Sequence, residues 1–170
     1  MVRAQKFVSW PRILRVDELA FVHQRIDVNA WYPMSSFERL NLAILSQTEY
    51  PSMDAVRLRG VLSARAFTKA GANLVAANDP VETLMRVRVF RSTLFDFSTF
   101  EVPAISEGQA RLEIRYGMSA RAEEATCQQT IGFCEGVLGL AGAKGIRTVV
   151  GSCSWQGAEQ TEVLLEWATK

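Results

Sequence analysis

Histidine is almost absent from this chain, and His23 is the single one. Metal sites need several N, O or S donors brought together, so one histidine builds no metal centre by itself. Cysteine is also scarce. Cys127, Cys134 and Cys153 are odd in number and lack C-x-x-C spacing, which fits free thiols in a reducing compartment better than a disulfide framework. Net charge is close to nil, with 19 Lys and Arg against 18 Asp and Glu. No overall field recruits nucleic acid or an anionic membrane surface. No stretch approaches the roughly 18 apolar residues of a membrane span, and charges recur every few residues through the opening MVRAQKFVSWPRILRVDELAF. The expectation is a cytoplasmic protein without a signal peptide or transmembrane segment. Repeats, low-complexity tracts and linkers are missing as well. So are G-x-S-x-G, H-E-x-x-H, a P-loop and a paired-carboxylate site. The sequence therefore supports no catalytic residue, no metal and no cofactor, and an enzyme is not expected.

What is present is apolar material, 48% of 170 residues, enough for one sizeable core and too little for two independent domains. The first half carries helix punctuation. Val16, Leu19, Ala20, His23 and Ile26 fall at helical spacing behind Asp17 and Glu18. A capping box at Ser35 and Glu38 then opens a second helix with the stripe Phe37, Leu40, Ile44. Tyr50-Pro51-Ser52 breaks it. A third helix is expected from about Met53 to Val75, burying Val61, Leu62, Ala66 and Ala70. Asp79 caps a fourth, with Pro80 at its first position and Glu82 completing a second capping box.

From about Phe95 the period shortens to two. Ala110, Leu112, Ile114 and Tyr116 alternate with Gln109, Arg111, Glu113 and Arg115 as a half-buried strand requires, after a turn at Glu107-Gly108. A helix from about Ala122 to Ala141 interrupts the strands. Ile146–Cys153 and Thr161–Trp167 then read as two strands around a turn at Gln156-Gly157, with Val163, Leu165 and Trp167 inward. The reading is one α+β domain over residues 1–170. Helices over about 16–94 pack on a C-terminal antiparallel sheet over about 95–168, which carries one inserted helix.

Several residues carry two readings. His23 is a satisfied core histidine or a ligand, the first preferred. Cys127 and Cys134, seven apart on one helix, are small buried hydrophobes or, joined by Cys153, a soft-metal site; again the first is preferred. Gly132, Gly136, Gly139 and Gly142 stripe the inserted helix. Glycine costs on the order of 1 kcal/mol in a helix interior, so a close backbone approach must offset it. That approach is to the sheet, to a second copy of the chain or to a ligand. Arg86, Arg88 and Arg91, with Arg57, Arg59 and Arg65, form a solvated balanced face or a patch for an acidic partner. Phe90, Phe95, Phe97 and Phe100 belong to the core or to a pocket wall.

Four segments together resemble a known superfamily: Phe95–Val102, Leu112–Tyr116, Gly132–Leu138 and Gly151–Gly157. They are similar to the ligand-binding fold of heme-nitric-oxide-binding domains, 4-vinyl-reductase-type sensors and TRAPP vesicle-tethering subunits. The opening Trp31-Tyr32-Pro33 resembles that of a family abundant in myxobacteria. Heme-binding members grip the propionates through a Tyr-x-Ser-x-Arg signature. Tyr116, Ser119 and Arg121 follow that order here with one residue too many between the first two. Those members take their iron ligand from a histidine on the preceding helix, and Val81–Phe90 contains none. The vinyl-reductase type flanks its last hairpin with two zinc-site cysteines, of which Cys153 matches the first while Thr161 stands at the second.

The resemblance implies a non-catalytic interaction or assembly module of this fold, without heme, acting as a homodimer or with a protein partner. The helix-packing or dimer stripe would be Gly132, Gly136 and Gly139. The alternative is a sensor domain holding an apolar lipid or aromatic molecule between helices and sheet, in a pocket of Trp31, Phe90, Phe97, Tyr116 and Cys134. Nucleic acid is not an expected partner.

Overall fold

The computed structural model describes residues 10, 13–23, 27, 30–46, 52–71, 73–93 and 100–168. They belong to two units, Met1–Pro51 and Ser52–Lys170. Ile26, Phe95 and Phe97, each named above, lie outside the described residues.

In the first unit, α1 (Val16–His23) and α2 (Met34–Ser46) supply a small core of Trp10, Leu14, Ala43 and Ile44, against which Ile13, Leu19 and Leu40 pack. The expected stripe on α1 is corrected. Val16 is 86% exposed and His23 is exposed, while the helix buries Glu18 to 2%. A buried carboxylate needs partners. Glu18 accepts the Arg15 N–H at 2.8 Å and pairs with Arg39 of α2, which caps α1 and ties it to its neighbour. The second helix starts at Met34, since the Pro33 carbonyl already accepts the Ser36 N–H at 3.0 Å. Ser35 thus lies inside the helix and not at its cap.

The second unit runs α3 (Met53–Lys69), α4 (Pro80–Phe90), β1 (Phe100–Ser106), β2 (Gln109–Ile114), α5 (Ala120–Leu140), β3 (Lys144–Ser152) and β4 (Thr161–Ala168). Its four strands form one antiparallel sheet in the order β1-β2-β4-β3. Alternation sets the register: Ala110, Leu112 and Ile114 stand opposite Leu165, Val163 and Thr161, and all six are buried. Pro103 falls on the edge strand β1, where the pairing skips between Glu101 and Ala104; a residue without an N–H is tolerated there. Gly108, at φ +83°, turns β1 into β2.

Two helix expectations need correction. The third helix ends at Lys69, and it buries Val56, Gly60 and Ala64, whereas Leu62, Ala66 and Ala70 are exposed. The reason is how near α5 comes. A Cβ on Gly60 would sit 2.7 Å from the Phe133 nitrogen, one on Gly132 2.8 Å from the Arg57 carbonyl carbon, and one on Gly136 2.7 Å from Ala64 Cβ. Only small residues fit this crossing, so the small stripe faces inward and leucines turn outward. At α4, Asp79 Oδ1 accepts the Glu82 N–H at 2.8 Å behind Pro80, as the cap requires. Glu82 does not complete the box; it turns along the helix to Arg86, at 2.9 Å.

Candidate functional site

The outward face of α4 carries a groove of about 450 Å³. Helical spacing brings Glu82, Met85, Arg86, Val89, Phe90 and Thr93 to one side, and Asn73 with buried Leu74 forms the opposing wall. Leu74, Met85, Val89 and Phe90 make it apolar, and the charged pair Glu82 and Arg86 stands at its rim. Arg86 also donates to Asn73 Oδ1 at 3.0 Å, which fastens the helix to that wall. Phe90 is held edge-on to Phe67 at 5.8 Å, and Phe67 edge-on to Phe133 of α5 at 5.9 Å.

Of the residues expected at a ligand pocket, Phe90 alone lines this groove. Tyr116 and Cys134 are buried; the Tyr116 hydroxyl lies 2.6 Å from Thr130 Oγ1, and Cys134 sits on the inner side of α5. Trp31 is 61% exposed in the other unit. Phe97 lies outside the described residues. Gly132 and Gly136 meet the backbone of α3, and Gly139 stands over Ile146 of β3 with room for a Cβ. Gly142 is not part of the helix. It follows the C-terminus of α5 at φ +90°, where a left-handed residue is needed.

The arginines tie elements together. Arg59 donates to Gln129 at 3.1 Å and Arg91 pairs with Glu101 at 2.6 Å. Arg57 grips Glu135 through two nitrogens, at 2.9 and 2.5 Å, and Thr148 of β3 donates to the same carboxylate. α3, α5 and the sheet edge meet at that point. Burial pushes the Glu135 carboxyl up, yet the hydrogen bonds from Arg57 and Thr148 outweigh it and hold the group below its ordinary value. A depressed carboxyl stabilises the fold above its unfolded pKa and stops doing so as pH falls through its folded one. Glu135→Gln should therefore cost about 1–3 kcal/mol at pH 7 in urea unfolding, and the gap to wild type should close below about pH 4. A gap unchanged from pH 7 to 3 would mean that charge plays no part.

A second polar cluster, unforeseen in the sequence, surrounds Glu123 near the start of α5. Its carboxylate accepts the Tyr116 and Met118 N–H groups, each at 2.9 Å, and the Ser154 hydroxyl at 2.9 Å. Cys127 Sγ lies 3.8 Å from that carboxylate and 3.7 Å from Thr161 Oγ1. Acidic residues in the first turn were the only hint, and the partners across the sheet have no local signature. Burial, partly opposed by its Thr161 contact, pushes the Cys127 thiol up to about 12, and burial does the same to Cys134. Both are protonated at neutral pH. Among the described residues no group of three or more His, Cys, Asp or Glu is placed to hold a metal ion. Among them, too, no helix is long and apolar enough to cross a membrane.

No protein-family model matches the chain, and no curated protein does. Solved structures do, and they define the fold as that of H-NOX domains. An H-NOX protein from S. oneidensis in its Fe(II)NO state superposes with a TM-score of 0.61 at 14% identity, covering 90% of this chain and 88% of that one. A variant of T. tengcongensis H-NOX gives 0.59 at 13%, covering 90% and 86%. An Fe(II) unliganded variant from K. algicida gives 0.59 at 13%, covering 83% and 76%.

Proposed function

We propose that this chain is a non-catalytic sensing domain of H-NOX fold that holds an apolar organic molecule along α4 and works without heme. The observation that carries the reading is the groove itself. Its volume of about 450 Å³ lies within the roughly 300–1,000 Å³ of small-molecule sites, and apolar walls with a few polar groups at the rim are the usual lining. The solved neighbours include Fe(II)NO and Fe(II)CO states. Iron in such a domain needs an axial donor, and the described residues of this chain do not fit that need. α4 has no histidine, His23 is exposed on α1, and Cys127 and Cys134 are fully buried in packed interior. Met85 is a thioether at the groove, a ligand that heme proteins pair with histidine.

The neutral probe N-phenyl-1-naphthylamine should fluoresce on addition to the wild-type protein. Met85→Glu should weaken its binding about tenfold or more, since the new carboxylate would be desolvated by the probe. Hemin added to the same sample should keep the spectrum of free hemin. Equal probe binding by both proteins, or a hemin spectrum shifted to that of a coordinated iron, would overturn the reading.

A protein-interaction or assembly role, including a homodimer, is the second reading. Leu58 and Leu62, one turn apart and more than half exposed on the outer side of α3, favour it. Concentration-dependent sedimentation that Leu58→Glu abolishes would support this role.

A further inference from the structure

α3 gives one face to α5 through Val56, Gly60 and Ala64, and its opposite face is exposed. At roughly 100° per residue, Leu58 and Leu62 stand at the centre of that exposed face. Asp54 and Arg65, both exposed, share one flank of the leucine pair about three turns apart, and exposed Lys69 follows one turn beyond Arg65. Among the described residues none of these three makes an ion pair. Arg57, a neighbour of Asp54 on the helix, is already gripped by Glu135. The face therefore carries an acid at its start, two leucines in the middle and two bases at its end.

That order is complementary to itself. A two-fold axis that turns a second α3 end over end brings like flank to like flank and sets Leu58 against the partner's Leu62. In this register Asp54 falls within one residue of the partner's Arg65, and Arg65 within one residue of the partner's Asp54. Four leucines are covered and two ion pairs close around them. A parallel arrangement would instead set acid against acid and base against base. Opposed helices also place each dipole end near its opposite.

We infer that a second copy of this chain covers the outer face of α3, the two helices running antiparallel about a two-fold axis, with Asp54 paired to the partner's Arg65 on both sides. The inference rests on the assembly reading and supplies its geometry; the groove along α4 shares no residue with this face. A contact of one helix per subunit stays at or below the about 1,000 Å² of a stable interface. The dimer is thus reversible and exchanges its subunits.

Sedimentation equilibrium of the full chain at low ionic strength reads the pairing. Asp54→Arg sets a second guanidinium against the partner's Arg65, and Arg65→Glu sets a second carboxylate against the partner's Asp54. Each variant should dimerise about fivefold or more weakly than wild type, because two ion pairs become two repulsions. An equimolar mixture of the two variants should return to wild-type affinity, since both pairs are complementary again in the mixed dimer. Added salt should shrink these differences. A wild type that stays monomeric at its highest soluble concentration would overturn the inference and the homodimer reading together. A wild-type dimer indifferent to the single substitutions, or a mixture no tighter than its components, would overturn the antiparallel pairing alone. If a single variant has a lowered Tm, the double variant Asp54→Arg, Arg65→Glu decides: it restores both pairs within one chain and should dimerise as wild type does. A double variant as weak as the singles would reject the pairing.

Discussion

Gly132→Ala is expected to destabilise the protein by about 3 kcal/mol or more, at the upper end of what overpacking costs. The added methyl would point into the backbone of α3, 2.8 Å from the Arg57 carbonyl carbon, and no rotamer change relieves a backbone contact. α3 and α5 would have to part along the whole crossing, loosening Gly60 and Gly136 as well. Gly139→Ala, on the same helix, should have the opposite sign. Its Cβ would meet Ile146 Cδ1 at 3.9 Å, an ordinary contact, so the better helix propensity of alanine should gain about 0.5 kcal/mol. Urea denaturation of the two variants reads both effects. Equal destabilisation would show that glycine matters here for a reason other than the approach of α3.

The second large effect is expected at Leu112→Ala, about 2–5 kcal/mol. Leu112 is fully buried on the central strand β2, opposite Val163 of β4. Truncation leaves a cavity that a paired strand cannot close. Leu62→Ala is the matching control. It sits on the outer face of α3, 51% exposed, and should change stability by no more than about 0.5 kcal/mol. A loss of several kcal/mol at Leu62 would mean that this outer face is covered in solution.

That pair also marks how far a sequence can be read. Leu112 was legible because a strand buries every second residue, and Ala110, Leu112 and Ile114 repeat the signal. Leu62 was misread because α3 carries two apolar stripes, and the larger side chains drew the assignment to the wrong one. Val56, Gly60 and Ala64 win the interior since α5 brings glycines of its own to the crossing. The glycine stripe was visible on α5, but its counterpart on α3 is remote in the chain and no spacing rule joins them. The expected pocket failed for a similar reason. Tyr116 and Cys134 are buried in packed interior while Phe90 edges the outer groove, and no local signal tells the two situations apart.

The amino-acid sequence by itself determined the order of the helices and of β2, β3 and β4, the cap at Asp79, the turns at Gly108 and Gly157 and the inward face of the sheet, while β1 went unnamed. Each rests on interactions within a few residues or on a simple period. Only the tertiary structure decided which helix meets the glycines, which acids are buried and what satisfies them. Arg57 with Glu135, and Glu123 with Ser154, are pairs from distant parts of the chain. Burial in a low dielectric makes such pairs obligatory once formed, but nothing local says which residues will form them.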